Sequence, residues 1–108
     1  MTEFKHISVA ETATRLDKRQ VIIADIRDEQ SYSSGHIEGA WHLTSANLGH
    51  FIQQHDLDTA VVVVCYHGNS SQGAAQYLVQ QGFDEVFSMD GGMAAWQQTL
   101  PVVRGTDE

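Results

Sequence analysis

The only cysteine of the chain, Cys65, is its best candidate for covalent chemistry. It ends an apolar run of four valines, 61–64, and a short segment leads from it toward a helical pattern: Tyr66, His67, Gly68, Asn69 and Ser70. Ligands of open α/β sheets bind at the carboxyl ends of strands. A loop that closes onto a helix start directs N–H groups inward, and these would lower the pKa of a cysteine sulfur at its centre. The pattern favours a nucleophile.

A second interpretation of Cys65 is a small apolar residue of the core, since a lone cysteine after valines is often no more than that. The loop composition favours the nucleophile. Gly68 permits the positive φ that a tight bend requires, and Asn69 tolerates that conformation better than most residues. The N–H groups from Tyr66 to Ser70 would then surround the sulfur.

Short β-rich runs alternate with helical patterns along the chain. The β-rich runs cover residues 21–25, 40–43, 61–64 and 85–89, and the helical patterns cover 8–19, 28–34, 45–54, 71–81 and 92–98. In the first helix we expect Ala10, Ala13 and Leu16 to face the core. Because the valine run has no polar alternation, it predicts a strand buried on both faces. The fold class predicted is α/β, with a mostly parallel sheet of about five strands and helices on both faces.

Length and composition limit the classes of function. The 108 residues suit one domain, and six Lys and Arg against 14 Asp and Glu give a net charge of −8. So acidic a chain is a poor candidate for binding nucleic acid or an anionic membrane. The amino-terminal residues lack a signal-peptide pattern, so we expect a cytoplasmic protein. A single cysteine excludes an intramolecular disulfide and a metal site built on several thiolates.

Four segments in chain order resemble signatures of the rhodanese family. They are an Asp-x-Arg at 25–27, a Gly-His-Ile-x-Gly-Ala at 35–40, the strand–cysteine–loop–helix at 63–71, and a Gly-Gly…Trp at 89–96. The resemblance covers residues 17–100, and the length and loop are most similar to small single-domain members. It implies one rhodanese domain over residues 1–108.

The resemblance implies a thiosulfate sulfurtransferase that needs no cofactor. Cys65 would attack the sulfane sulfur of thiosulfate, release sulfite and hold the sulfur as a persulfide. The acceptor would be thiophilic: cyanide, a dithiol, or a dithiol protein such as thioredoxin. Two alternatives stay open, namely another donor such as mercaptopyruvate and a non-catalytic module that binds a partner protein. A phosphatase is disfavoured, because its Cys-x5-Arg loop requires an arginine where Ser71 stands.

The remaining candidates have less direct roles. Asp25 and Arg27 leave a strand end on the same side, so we expect a structural ion pair, with Arg27 as an outside contributor to sulfonate binding. His36 is expected to hold the fold through hydrogen bonds. His67 could tune the thiolate or contact a substrate, and Ser70 could donate its hydroxyl to the persulfide. The histidine spacings match no metal-ligand pattern, so no metal is expected.

Overall fold

The computed structural model describes residues 3–105. Strands and helices alternate along these residues in ten elements: β1 (Lys5–Ile7), α1 (Val9–Asp17), β2 (Ile22–Asp25), α2 (Glu29–Ser34), β3 (Trp41–His42), α3 (Leu48–Gln54), β4 (Ala60–Val64), α4 (Ser70–Gln80), β5 (Glu85–Met89) and α5 (Gly92–Thr99). The longest helix, α4, has 11 residues. Within residues 3–105, no helix combines the length and apolarity that a membrane crossing requires.

The five strands form one parallel sheet in the order β1-β5-β4-β2-β3. The predicted α/β class with a mostly parallel sheet is therefore confirmed. Strand β4 lies in the middle, where both neighbours cover its edges. Asp25 at the end of β2 pairs with Val64 at the end of β4. This register brings the segments after β2 and β4, which hold Arg27 and Cys65, to the same edge of the sheet.

The valines of β4 face two separate cores, as expected for a strand buried on both faces. Val62 and Val64 pack on the side that includes residues of α1 and α5. Val61 and Val63 pack on the opposite side, against residues of α3 and α4. All four side chains are fully buried. The strand before Cys65 is therefore held rigidly from both faces.

Strand β1 was not among the predicted segments. It has three residues, two of them exposed, and it pairs only with β5 at the sheet edge. Because this edge strand is so short, it has neither an apolar run nor a regular alternation of apolar and polar residues. Periodicity alone therefore does not reveal it.

Helices α1 and α3 differ from the expectation in their buried face and their start. Ala10 was expected to face the core but is exposed, because Thr12 takes the buried position of α1 and donates its hydroxyl to the Ser8 carbonyl. Helix α3 begins three residues later than predicted. Thr44 and Asn47 bond each other's backbone N–H groups through their side chains, which forms a turn in place of the first helical turn.

Candidate active site

The sulfur of Cys65 lies inside the loop that joins β4 to α4. The residue is 3% exposed. Its Sγ accepts hydrogen bonds from the N–H groups of Gly68 and Ser71, both at 3.2 Å. The Ser71 hydroxyl oxygen is also 3.2 Å from Sγ. The sulfur is thus surrounded by donors suited to an anion.

The same sulfur caps helix α4. The N-cap residue Asn69 makes no side-chain capping bond, and α4 has no acidic residue in its first turn. The N–H of Ser71 donates to Cys65 Sγ. In many helices this N–H would donate to the side chain of the N-cap residue instead. The positive end of the helix dipole is therefore directed at the cysteine sulfur.

These contacts change the acidity of the thiol. Burial by itself raises the pKa of Cys65, because it penalises the charged form. The Ser71 hydroxyl opposes this most strongly, followed by the N–H groups of Ser71, Gly68 and His67. The balance places the pKa of the Cys65 thiol below its ordinary value. At a given pH, a larger fraction of Cys65 is therefore in the nucleophilic thiolate form than of a cysteine with the ordinary pKa.

A second buried hydroxyl supports Ser71. Ser88, on β5, lies with its Oγ 2.7 Å from the Ser71 Oγ, and both residues are fully buried. When Ser71 donates to a thiolate, its oxygen can accept the hydrogen of Ser88, so both hydroxyls are satisfied. Sequence reasoning missed both serines. The spacing of Ser71 from the inward-facing Ala75 was the available signal, since residues four apart share a helix face.

The outer side of the loop rests on helix α5. The N–H of Met93 donates to the Cys65 carbonyl at 2.7 Å, and the N–H of Ala94 donates to the Tyr66 carbonyl at 2.9 Å. Gly68 has a φ of +91°, and a Cβ there would lie 3.0 Å from the Gly91 nitrogen. The expected glycine conformation at position 68 is therefore present, in close contact with the segment that starts α5.

Tyr66 and His67 are exposed on the rim of the loop. The phenol of Tyr66 donates to the Asp28 carboxylate and lies 3.0 Å from the Ser31 hydroxyl. With Ser31, Tyr66 lowers the pKa of Asp28 to about 2. Asp28 is also the N-cap of α2. The tyrosine thus ties the loop to the start of α2.

A cleft of about 180 Å³ lies beside the rim. It is lined by Arg27, Tyr66, His67, Met93, Ala94 and Gln97. The guanidinium carbon of Arg27 lies 6.0 Å from the centre of the Tyr66 ring. The cleft therefore offers a guanidinium and an imidazole next to the loop, on a protein whose net charge is −8.

Asp25 and Arg27 form a buried ion pair. Their closest nitrogen–oxygen distance is 2.8 Å, and the side chains are 0% and 4% exposed. Arg27 Nη2 also donates to the Gly35 carbonyl at 2.7 Å. The pair therefore ties the segment after β2 to the end of α2, next to the loop.

The other predicted residues lie in two different settings. His36 is fully buried, stacks on Tyr32 at 3.8 Å and donates from Nδ1 to the Tyr32 carbonyl. Ser70 is exposed, and the hydroxyl beside the sulfur belongs to Ser71 instead. Helix α4 begins one residue earlier than predicted, and within it Ser71 is buried while Ser70 is exposed. Among residues 3–105 there is no group of three metal-ligating side chains that could hold an ion.

The sequence of this parallel α/β domain matches a known protein family. The model of the rhodanese-like domain matches residues 8–99. The chain belongs to the rhodanese family. It is 57% identical over 94 residues to the thiosulfate sulfurtransferase GlpE of Pseudoalteromonas translucida (strain TAC 125), and the match covers 87% of this chain and 90% of that protein.

Solved structures share the fold. A rhodanese-related protein of Thermoplasma volcanium superposes with a TM-score of 0.80 at 24% identity, over 94% of this chain and 100% of that one. A protein of Rhodopseudomonas palustris CGA009, described as being of unknown function and a possible tyrosine phosphatase, gives a TM-score of 0.79 at 25% identity. That match covers 92% of this chain and 84% of the other. The fold is thus shared by proteins that are only about a quarter identical to this chain in sequence.

Proposed function

We propose that this protein is a thiosulfate sulfurtransferase with Cys65 as its nucleophile. One observation carries the proposal: a cysteine sulfur caps helix α4 and accepts N–H bonds from Gly68 and Ser71, which favour its thiolate. The 57% identity to a thiosulfate sulfurtransferase supports the donor. The reaction needs one nucleophile and no cofactor.

In the first half-reaction, the Cys65 thiolate attacks the outer sulfur of thiosulfate. A bond forms between Sγ and that sulfur, the sulfur–sulfur bond of thiosulfate breaks, and its electron pair leaves with sulfite. The product is the Cys65 persulfide anion, so charge and atoms balance. The N–H groups of His67, Gly68 and Ser71 are positioned to stabilise an anionic sulfur here before and after transfer.

In the second half-reaction, a thiophilic acceptor attacks the outer sulfur and Cys65 leaves as a thiolate. A sulfur of lowered pKa is the better leaving group, so the contacts that activate Cys65 serve both halves. Cyanide would give thiocyanate. The chain has no second cysteine to resolve the persulfide. We therefore propose an external acceptor, a small dithiol or a dithiol protein such as thioredoxin, in a cytoplasm that keeps Cys65 reduced.

An acidic protein can bind this dianion because the attraction is local. Backbone N–H groups and the α4 dipole supply it at the sulfur, without a cation in the loop. We assign the sulfonate end of thiosulfate to the side of the cleft, where Arg27 and His67 are the basic side chains. Arg27 is largely engaged by Asp25, so its contribution is through N–H donation more than net charge.

Two other functions are less well supported. A non-catalytic binding module has no need for a thiol of lowered pKa at a helix start. A phosphatase clamps its oxyanion with an arginine of the cysteine loop, and the loop between Cys65 and α4 contains none.

Steady-state kinetics test the proposal. With thiosulfate and cyanide varied together, a covalent sulfur carrier gives parallel double-reciprocal lines, and Cys65→Ser gives no turnover. Mercaptopyruvate is assayed in parallel. Intersecting lines, or turnover by a folded Cys65→Ser variant, would exclude the persulfide mechanism. Turnover with mercaptopyruvate alone would replace the donor, and no turnover with either would favour the binding module.

A further inference from the structure

The active-site loop has an inner side and an outer side. The carbonyl of one residue and the N–H of the next belong to one planar trans peptide and point in opposite directions. When the Tyr66 carbonyl bonds the Ala94 N–H, the N–H of His67 must face away from α5. That N–H is among the groups that lower the pKa of Cys65. The bond between the Ala94 N–H and the Tyr66 carbonyl therefore fixes the direction of the His67 N–H, which faces the sulfur.

The loop in turn caps α5. The N-cap of α5 is Gly91, which has no side chain that could cap the helix. The helix N–H groups of Met93 and Ala94 instead donate to the carbonyls of Cys65 and Tyr66. Sulfur thus caps α4 from one side of the loop while carbonyls of the same loop cap α5 from the other.

Gly92 permits this close approach. A Cβ at position 92 would lie 2.5 Å from the Tyr66 carbonyl oxygen, 2.6 Å from that of Cys65 and 2.6 Å from the His67 nitrogen. All three atoms are backbone and belong to the peptides that aim the loop. Gly92 also has a φ of +61°. Any side chain there must displace the loop from α5.

A side chain of α4 holds another loop carbonyl. Gln72 Nε2 donates to the Gly68 carbonyl at 2.8 Å. The N–H of Gly68 points to the sulfur, so this bond fixes the residue whose donor faces Sγ. Gln72 lies in the first turn of α4, close to the thiolate without contacting it in the described structure.

We propose that Gly92 and Gln72 are positioning residues for sulfur transfer, which hold the carbonyls of the loop outward so that its N–H groups face Cys65. The proposal rests on the proposed function, because it concerns the same sulfur. The start of α5 thereby orients the peptides of the loop, which the hydroxyls of Ser71 and Ser88 do not do.

Gly92→Ala tests the contact with α5. We expect the pH profile of Cys65 alkylation by iodoacetamide to move up by about one pH unit, which lowers the rate about tenfold at pH values below the pKa of the thiol. Persulfide formation from thiosulfate should slow in parallel. Gly39→Ala is the matched control, since Gly39 also has a positive φ, +84°, but a Cβ there meets nothing within 4 Å. The control should keep the wild-type profile.

Gln72→Glu tests the second residue without threatening the fold. A carboxylate cannot donate to the Gly68 carbonyl and repels a thiolate, whereas an acidic residue in the first turn favours the helix. We expect unchanged or higher thermal stability together with slower alkylation at pH 7. Gln72→Ala should show a smaller shift in the same direction. Gln20→Glu controls for the added negative charge. Gln20 is exposed and precedes the amino end of β2, whereas Cys65 follows the carboxyl end of β4.

Wild-type alkylation profiles in both Gly92→Ala and Gln72→Glu would overturn the proposal. A shift in one variant alone would restrict the role to that residue and remove the other. If Gly92→Ala does not fold, the Gln72 variants decide. Intact-mass analysis of the wild type with thiosulfate separates this result from the proposed function: an unmodified wild type would refute sulfur transfer from thiosulfate, while the alkylation profiles still report the loop geometry.

Discussion

Ser71 binds the sulfur of Cys65 through its backbone N–H and its hydroxyl, each at 3.2 Å. One residue therefore supplies both the helix N–H that the sulfur caps and the hydroxyl that lowers the pKa of the thiol most strongly. The hydroxyl of Ser88, 2.7 Å away, can complete the arrangement from β5. Sheet and helix together position the hydrogen-bond donors of the sulfur.

Ser71→Ala should raise the pKa of Cys65, because it removes the hydroxyl while leaving the N–H. The thiolate fraction at pH 7 then falls, and alkylation and persulfide formation slow together. A rise of about one pKa unit would slow both about tenfold at pH values below the pKa of the thiol. The pH dependence of iodoacetamide alkylation measures the change. Ser70→Ala is the control, since its exposed hydroxyl is not the one beside Sγ; equal profiles for the two variants would contradict this assignment.

Tyr66→Phe should return the pKa of Asp28 upward from about 2, because the phenol is the largest of the groups that lower it. A lowered carboxyl pKa contributes stability above the ordinary value of 3.8, and that contribution is lost as the pH falls toward 2. The variant should therefore be less stable than the wild type above pH 3.8, and its stability should fall less than that of the wild type as the pH drops from 3.8 toward 2. NMR titration of the Asp28 carboxyl carbon measures the pKa, and an unchanged midpoint would show that Tyr66 does not reach it in solution.

Asp25→Asn should destabilise the fold by about 3–5 kcal/mol, because it leaves the Arg27 charge buried without its partner. Urea unfolding measures the loss. The control is Glu11→Gln, which breaks an i,i+4 pair with Arg15 at the surface and should cost less than about 1 kcal/mol. A loss of similar size in both variants would show that burial does not set the strength of the Asp25–Arg27 pair.

Gly73→Ala should stabilise the protein by about 0.5–1 kcal/mol. Gly73 is exposed inside α4, and a Cβ there meets nothing within 4 Å. Alanine lowers the entropy lost when the helix forms. Urea unfolding should show a higher midpoint with an unchanged slope. A lower midpoint would mean that position 73 makes contacts that the structure does not show.

The sequence predicted the centre of the fold well because physical signals are strongest there. Four adjacent valines are buried on both faces of β4, and the cysteine loop follows directly. Local capping follows the same logic, because Ser8 accepts the Glu11 N–H three residues later and begins α1. These features depend on neighbours in the chain, which is why periodicity and capping rules find them.

The parts that sequence reasoning missed depend on contacts that form only in the folded protein. Ser70 was expected to offer its hydroxyl because of its place in the loop, whereas the hydroxyl beside Cys65 Sγ is that of Ser71. The Ser71–Ser88 contact joins residues 17 apart in sequence. The fit of Gly92 against the Cys65 and Tyr66 carbonyls exists only once α5 docks on the loop. No local pattern encodes these distances.

The intact mass of the protein after incubation with thiosulfate tests the central claim most directly. The wild type should gain one sulfur atom and lose it again to cyanide, and Cys65→Ser should gain none. Circular dichroism establishes that the variant is folded. A wild type that gains no sulfur from thiosulfate, or a folded Cys65→Ser variant that does gain it, would contradict a Cys65 persulfide as the carrier.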